Sequence, residues 1–184
     1  MASEYHECGK PAIFLDRDGT IIEDVNYPKY PEQVRFFSDV KEVLSTFQKK
    51  GFLLILISNQ SGIGRGLITM EEANSVHHRV SSILHNDGVS LDAYYYCIHG
   101  PEENCTCRKP SPEMIFNAVK KFGIDISRSF MIGDREVDMK TGRNAGCKTI
   151  LFNPDRVLTI SDFTDYTADS WQDVLRYVIE TSEL

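Results

Sequence analysis

The 184-residue chain reads as an α/β protein, a three-layer α/β/α arrangement about a mostly parallel sheet. Two observations predict it. Five short apolar runs, at 12–15, 53–57, 94–97, 130–132 and 149–152, alternate with helix-like stretches at about 40–50, 70–86, 112–122, 137–145 and 171–181. Strands that alternate with helices build βαβ units and hence parallel strands. The runs are also nearly continuous in apolar character, as expected of strands covered by helices on both faces.

Each element has local support. The first run ends in Asp16-Arg17-Asp18-Gly19-Thr20, a polar turn, and Gly51 stops the helix that precedes the second run. The second run opens onto Ser58-Asn59-Gln60-Ser61-Gly62-Ile63-Gly64-Arg65-Gly66, a glycine-rich turn. Ser111-Pro112 and Ser170 ahead of Asp173 are helix starts, while Gly123 and Gly146 mark helix ends. Asp134, after the fourth run, is a candidate N-cap. The longest irregular stretches are 19–38, 99–111 and 153–169. In open α/β sheets ligands bind beyond the carboxyl ends of the strands, so the loops after the first four strands face one crevice.

Length suits a single domain over 1–184, with no repeat and no room for a second generous domain. A net charge of −7 without a basic block argues against nucleic-acid binding. The polar first ten residues and the absence of a long apolar run point to a cytoplasmic protein without a membrane partner, expected as a monomer. Five cysteines are an odd number, and three of them crowd into 97–107, which suits a metal site in a reducing compartment better than a disulfide framework.

Five constellations could carry chemistry. On an extended strand residues i and i+2 share a face, so Asp16 and Asp18 can converge while Arg17 turns aside. Such a pair suits Mg2+, and an aspartate can also attack phosphorus to form an aspartyl-phosphate; a plain Asp-Gly turn is the bland alternative. Ser58 and the glycine-rich turn offer donors for phosphate oxygens, though an ordinary loop has the same composition. Cys97-x-His99 and Cys105-x-Cys107 supply three thiolates and an imidazole, a closed tetrahedral set for a structural Zn2+ within 97–107. Arg108-Lys109 comes directly after, and Lys109 could neutralise charge on a phosphoryl group. Asp134 is either a helix cap or a third carboxylate for Mg2+, with Asp138 on nearly the same helical face. His77, His78 and His85 read as surface or partly packed, 94–96 as strand packing, Phe36-Phe37 as core, and Cys147 as a small core residue, with Cys8 outside the metal set.

In order, Asp16-x-Asp18-Gly-Thr, Ser58, Lys109 and Gly133-Asp134-x-x-x-Asp138 resemble the haloacid dehalogenase superfamily of Asp-dependent phosphatases over about residues 11–152. With no large insertion for a cap domain, the chain is similar to the capless, Rossmann-like members. The 14–20 and 59–66 segments and the Cys/His loop are similar to the heptose bisphosphate phosphatases of that superfamily. Histidinol-phosphate phosphatase domains share the zinc loop and the Gly-Asp-Arg that Arg135 completes here. A catalytically silent, zinc-braced binding protein is the non-enzymatic alternative, against which the intact Asp16, Asp18, Lys109 and Asp134 argue.

The resemblance implies that Asp16 is the nucleophile and Asp18 the acid/base, which requires a proton on Asp18 at the first step. It implies Mg2+ held by Asp16, the Asp18 carbonyl and Asp134, and phosphoryl oxygens held by Ser58 and Lys109. Asp24, Val25, Asn26, Tyr27, Asn59, Gln60, Ser61, Arg108 and Arg135 become candidate contacts to a small phosphorylated sugar. The implied reaction removes the 7-phosphate of a heptose 1,7-bisphosphate.

Overall fold

The computed structural model describes residues 9–155 and 162–182. Six parallel strands form one sheet: β1 (Ala12–Leu15), β2 (Leu53–Asn59), β3 (Ala93–Cys97), β4 (Phe130–Gly133), β5 (Lys148–Phe152) and β6 (Tyr166–Ala168), in the order β3-β2-β1-β4-β5-β6. The helices are α1 (Val40–Lys49), α2 (Ser61–Gly64), α3 (Met70–Asn86), α4 (Glu113–Phe122), α5 (Glu136–Ala145) and α6 (Trp171–Ser182).

Alternation along each strand sorts the core into two layers. Ile13 and Leu15 of β1 and Phe130 and Ile132 of β4 pack with Val43, Leu44 and Phe47 of α1, Val80 and Leu84 of α3, and Trp171, Val174 and Val178 of α6. Ala12 and Phe14 of β1 and Met131 of β4 face the other way, against Met114, Ile115 and Ala118 of α4 and Ala145 of α5. Both faces are therefore covered, which is why the strands are apolar at successive positions. The chain winds outward from β1 through β2 to β3, then from β4 through β5 to β6. The strand order thus reverses between β1 and β4, where the carboxyl ends of such sheets leave a crevice.

Several expectations need correction. The 153–169 stretch contains a sixth strand, β6, paired with β5 from Tyr166 to Ala168; three residues with tyrosine and threonine are too short a signal to stand out. The 59–66 turn contains the single-turn helix α2, from Ser61 to Gly64. Asp134 does not cap α5: Arg135 occupies the N-cap, and Asp138 accepts its backbone N–H at 3.1 Å. His77 is buried, its ring 3.8 Å from that of Tyr94 and its Nδ1 2.8 Å from the Tyr96 hydroxyl. As expected, Cys147 is a core residue and Phe37 packs edge-on against Phe152; Cys8 lies outside the described residues. Among the described residues no helix is long and apolar enough to cross a membrane.

Candidate active site

The site begins where the β1 ladder ends. Asp16 N–H still donates to Ile132 O at 2.9 Å, which pins Asp16 at the β1/β4 reversal. Across it stands Lys109, buried, whose Nζ donates to Asp16 Oδ1 at 2.7 Å and to Ile57 O at 3.1 Å and pairs with Asp138 Oδ1 at 2.5 Å. The Lys109 main chain is fixed from β2: its N–H donates to Asn59 Oδ1 at 3.0 Å, and Asn59 Nδ2 donates to its carbonyl at 3.2 Å. Asn59, expected as a sugar contact, thus spends its amide on the loop that carries Lys109.

Asp16, Asp134 and Asp138 each bring a carboxylate oxygen within 4.8 Å of the others. Gly19, at φ +82°, lets the loop pass Asp134, since a Cβ there would lie 2.4 Å from its Oδ2. Gly133 does the same for Asp138, whose Cβ would be 2.3 Å from a side chain at 133. Crowding has an electrostatic consequence. Burial, reinforced by Asp16 and Asp138, pushes Asp134 up to about 7. Burial also raises Asp138, to about 6, with Lys109 opposing and Asp16 assisting. Although burial works against its charge, Lys109 is held charged well above the usual lysine range by Asp138 and Asp16.

These donors fit a small hard cation. Three clustered carboxylates present only oxygen, the ligand type Mg2+ takes, and the proton uptake that burial and mutual repulsion favour is the charge a cation would supply. Asp138 is the member that sequence reasoning left out of the site. Four residues after Asp134 in a first helical turn, it looks the same whether it complements the helix dipole or grips a lysine.

Asp18 is absent from that carboxylate group. The chain turns at Arg17, whose carbonyl accepts from Ile21 and Ile22 N–H at 3.1 Å each, and Asp18 lines the same cavity as Asp16 while its carboxylate stays outside the three-carboxylate group. Arg17 does not turn to solvent. It is fully buried and forks onto Asp18, Nε to Oδ1 at 3.0 Å and Nη2 to Oδ2 at 2.8 Å. Gln60, also buried, joins the same carboxylate through Nε2 at 2.9 Å and reaches Ser58 Oγ at 3.0 Å. Thr20 Oγ1 lies 3.3 Å from Asp134 Oδ1, and its carbonyl accepts from Trp171 Nε1 at 3.2 Å, so α6 braces this loop.

A cavity of about 280 Å³ opens over these groups, lined by Asp16, Asp18, Ser58, Asn59, Gln60, Ser61, Lys109 and Asp138 below. Asp24, Asn26, Tyr27, Arg108, Arg135 and Val137 form its rim. The rim is tied together: Arg135 Nη2 donates to Asp24 Oδ2 at 2.7 Å, and Arg65 Nη1 to the Tyr27 hydroxyl at 2.7 Å. Tyr27 also rests on Gly62, where a Cβ would meet its ring at 2.5 Å. Val25, 38% exposed, is outside the lining residues.

Behind the rim, Cys97, His99, Cys105 and Cys107 converge, all four ligand atoms within 4.8 Å of one another. Cys97 Sγ is 3.5 Å from Cys105 Sγ and 3.7 Å from His99 Nδ1, and Cys107 Sγ is 3.4 Å from His99 Nδ1. A tetrahedron with the bond lengths usual for zinc has edges of about 3.6–3.8 Å. The four side chains therefore fit a metal ion with no ligand position to spare. Arg108, which donates to His99 O at 3.4 Å, and Lys109 come immediately after.

Known proteins resemble this chain throughout. A HAD-hydrolase-like family model matches residues 106–165. A D-glycero-beta-D-manno-heptose-1,7-bisphosphate 7-phosphatase of Helicobacter pylori J99 is 45% identical over 76% of this chain and 81% of its own length. The enzyme of that name from Haemophilus ducreyi is 37% identical over 92% and 99%. A solved D,D-heptose 1,7-bisphosphate phosphatase from B. bronchiseptica, complexed with magnesium and phosphate, is 25% identical with a TM-score of 0.84, over 93% of this chain and 99% of that one. The likeness spans both the sheet and the loops at its carboxyl ends, and the chain belongs to the haloacid dehalogenase superfamily, among its phosphoric monoester hydrolases.

Proposed function

We propose that this chain removes the 7-phosphate of D-glycero-D-manno-heptose 1,7-bisphosphate in two displacements through an aspartyl-phosphate on Asp16. The observation that carries the reading is a buried Asp16 touched by the Lys109 ammonium at 2.7 Å, at the floor of a cavity whose rim bears Arg108 and Arg135. The names of relatives 45% and 37% identical supply the substrate.

Asp16 attacks phosphorus in line with the sugar oxygen. As that P–O bond breaks, Asp18 gives its proton to the departing oxygen, and Lys109 and the Ser58 hydroxyl hold the oxygens over which charge spreads. Asp18 then takes a proton from water while the water oxygen bonds to phosphorus and the bond to Asp16 breaks. Asp16, Asp134 and the Asp18 carbonyl would hold Mg2+. Bound there, the cation withdraws charge from the phosphoryl group. Asp24, Asn26, Tyr27, Ser61, Arg108 and Arg135 border the space left for the sugar and its second phosphate. Cys97, His99, Cys105 and Cys107 would hold Zn2+, which stiffens the 97–107 loop ahead of Arg108 and Lys109 and leaves no open position for catalysis.

Phosphate release from both anomers of the heptose bisphosphate and from histidinol phosphate tests the substrate. The expected result is a preference for a heptose bisphosphate with the 1-phosphate retained; a preference for histidinol phosphate contradicts it. Asp16→Asn is expected to cut turnover by about 10⁴ or more with the fold intact, and a variant retaining substantial activity removes Asp16 as nucleophile.

A further inference from the structure

The Asp18 carboxylate is held by more donors than an exposed acid would gather. Arg17 Nε reaches Oδ1 at 3.0 Å, Arg17 Nη2 reaches Oδ2 at 2.8 Å, and Gln60 Nε2 reaches Oδ2 at 2.9 Å. A carboxylate offers about four lone-pair sites, two on each oxygen. Oδ2 therefore has both sites taken by N–H donors, and Oδ1 keeps one. A proton placed on Oδ2 would face two donors, whereas Oδ1 can carry one and still accept from Arg17.

The orientation of Gln60 is fixed by its neighbours. Its Oε1 accepts from Arg17 Nη2 at 2.9 Å, which obliges the amide nitrogen to face Asp18 and Ser58. A flipped amide would set two donors against each other. Since Ser58 Oγ accepts from Gln60, its own O–H is left to donate elsewhere, and Ser58 lines the cavity. One amide thus orients both the acid and a phosphoryl-facing hydroxyl.

Arg17 is itself anchored. It is fully buried with Cζ 5.6 Å from the centroid of the Tyr96 ring, and the Tyr96 hydroxyl meets His77 Nδ1 at 2.8 Å. A planar fork seated against an aromatic ring is a rigid support for a carboxylate, which a flexible lysine could not reproduce.

We propose that Arg17 and Gln60 form a clamp that positions the catalytic acid, fixing Asp18 so that its Oδ1 alone carries the proton delivered to the leaving oxygen. Arg17 is a positioning residue, and the inference rests on the reading of Asp18 as the acid. As phosphorus bonds to Asp16 and releases the ester oxygen, the proton on Oδ1 passes to that oxygen and Asp18 is left as the carboxylate that both clamp residues hold.

Acid assistance matters most when the leaving oxygen is strongly basic. The test compares kcat/KM on phenyl phosphate, a poor leaving group, with that on p-nitrophenyl phosphate, a good one, for the full chain and for Asp18→Asn, Arg17→Met, Arg17→Lys and Gln60→Leu, with thermal melts to confirm folding. Asp18→Asn is expected to lose at least tenfold more on phenyl phosphate than on p-nitrophenyl phosphate. Arg17→Met should reproduce that bias, with Arg17→Lys and Gln60→Leu between it and the parent. If Asp18→Asn shows the bias and every folded clamp variant loses equally on both esters, the clamp is overturned while the acid stands. If Asp18→Asn itself lacks the bias, the acid reading falls and the clamp with it.

Discussion

Asp134 titrates in a range that an assay can reach. Burial and the neighbouring Asp16 and Asp138 raise it to about 7, so below that pH a proton occupies the carboxyl that a cation needs. Metal binding must then displace the proton, and affinity falls as pH falls; above about 7 the carboxylate is already free and the dependence flattens. We predict that the Mg2+ concentration giving half-maximal activity rises about fivefold from pH 7 to pH 6 and changes little from pH 8 to pH 9. A profile that is flat below pH 7 contradicts this. Residues at this scale were unevenly legible. Asp16, Lys109 and Asp134 could be read from their order and their places at strand ends. Asp138 and Arg17 could not, because their significance lies in partners distant in sequence: Lys109 for the first, Gln60 and Tyr96 for the second.

At the scale of elements, the proposed zinc set makes its prediction on the 97–107 loop, where Cys97, His99, Cys105 and Cys107 converge. The loop begins at the end of β3, and its far end must deliver Lys109 to Asp16, where two hydrogen bonds to Asn59 hold the Lys109 main chain. If Cys97, His99, Cys105 and Cys107 hold zinc as proposed, Cys105→Ser lowers the zinc found by elemental analysis. It should cost about 2 kcal/mol, a melting temperature lower by about 4–8 °C, while phosphatase activity at saturating Mg2+ falls less. Loss of chemistry without loss of stability would mark a catalytic metal instead. Five of the helices and five of the strands were legible because their apolar runs and glycine stops are local signals; the single-turn α2 was not. β6 was not, since its three residues gain their strand character only from pairing with β5.

The whole molecule explains why residues so far apart in sequence meet. Reversal of strand order between β1 and β4 leaves the carboxyl ends of both beside each other, and β2 adds Ser58, Asn59 and Gln60 from the adjoining position. Covering helices hold that sheet from both sides, so the site stands on rigid strand ends while its rim is built from side-chain pairs such as Arg135–Asp24. The fold class was visible in the alternation of elements, and the crevice came with it. The shape of the rim was not, because Asn26 and Tyr27 sit at positive φ, Asn26 held by Asp24 and Tyr27 by Arg65 and Gly62. The central claim is that phosphorus is passed first to Asp16 and only then to water. The stereochemical course at phosphorus, traced with an ester whose transferred phosphorothioate group is isotopically chiral, tests it most directly. Two in-line displacements predict net retention of configuration, and net inversion, the signature of direct attack by water, would contradict it.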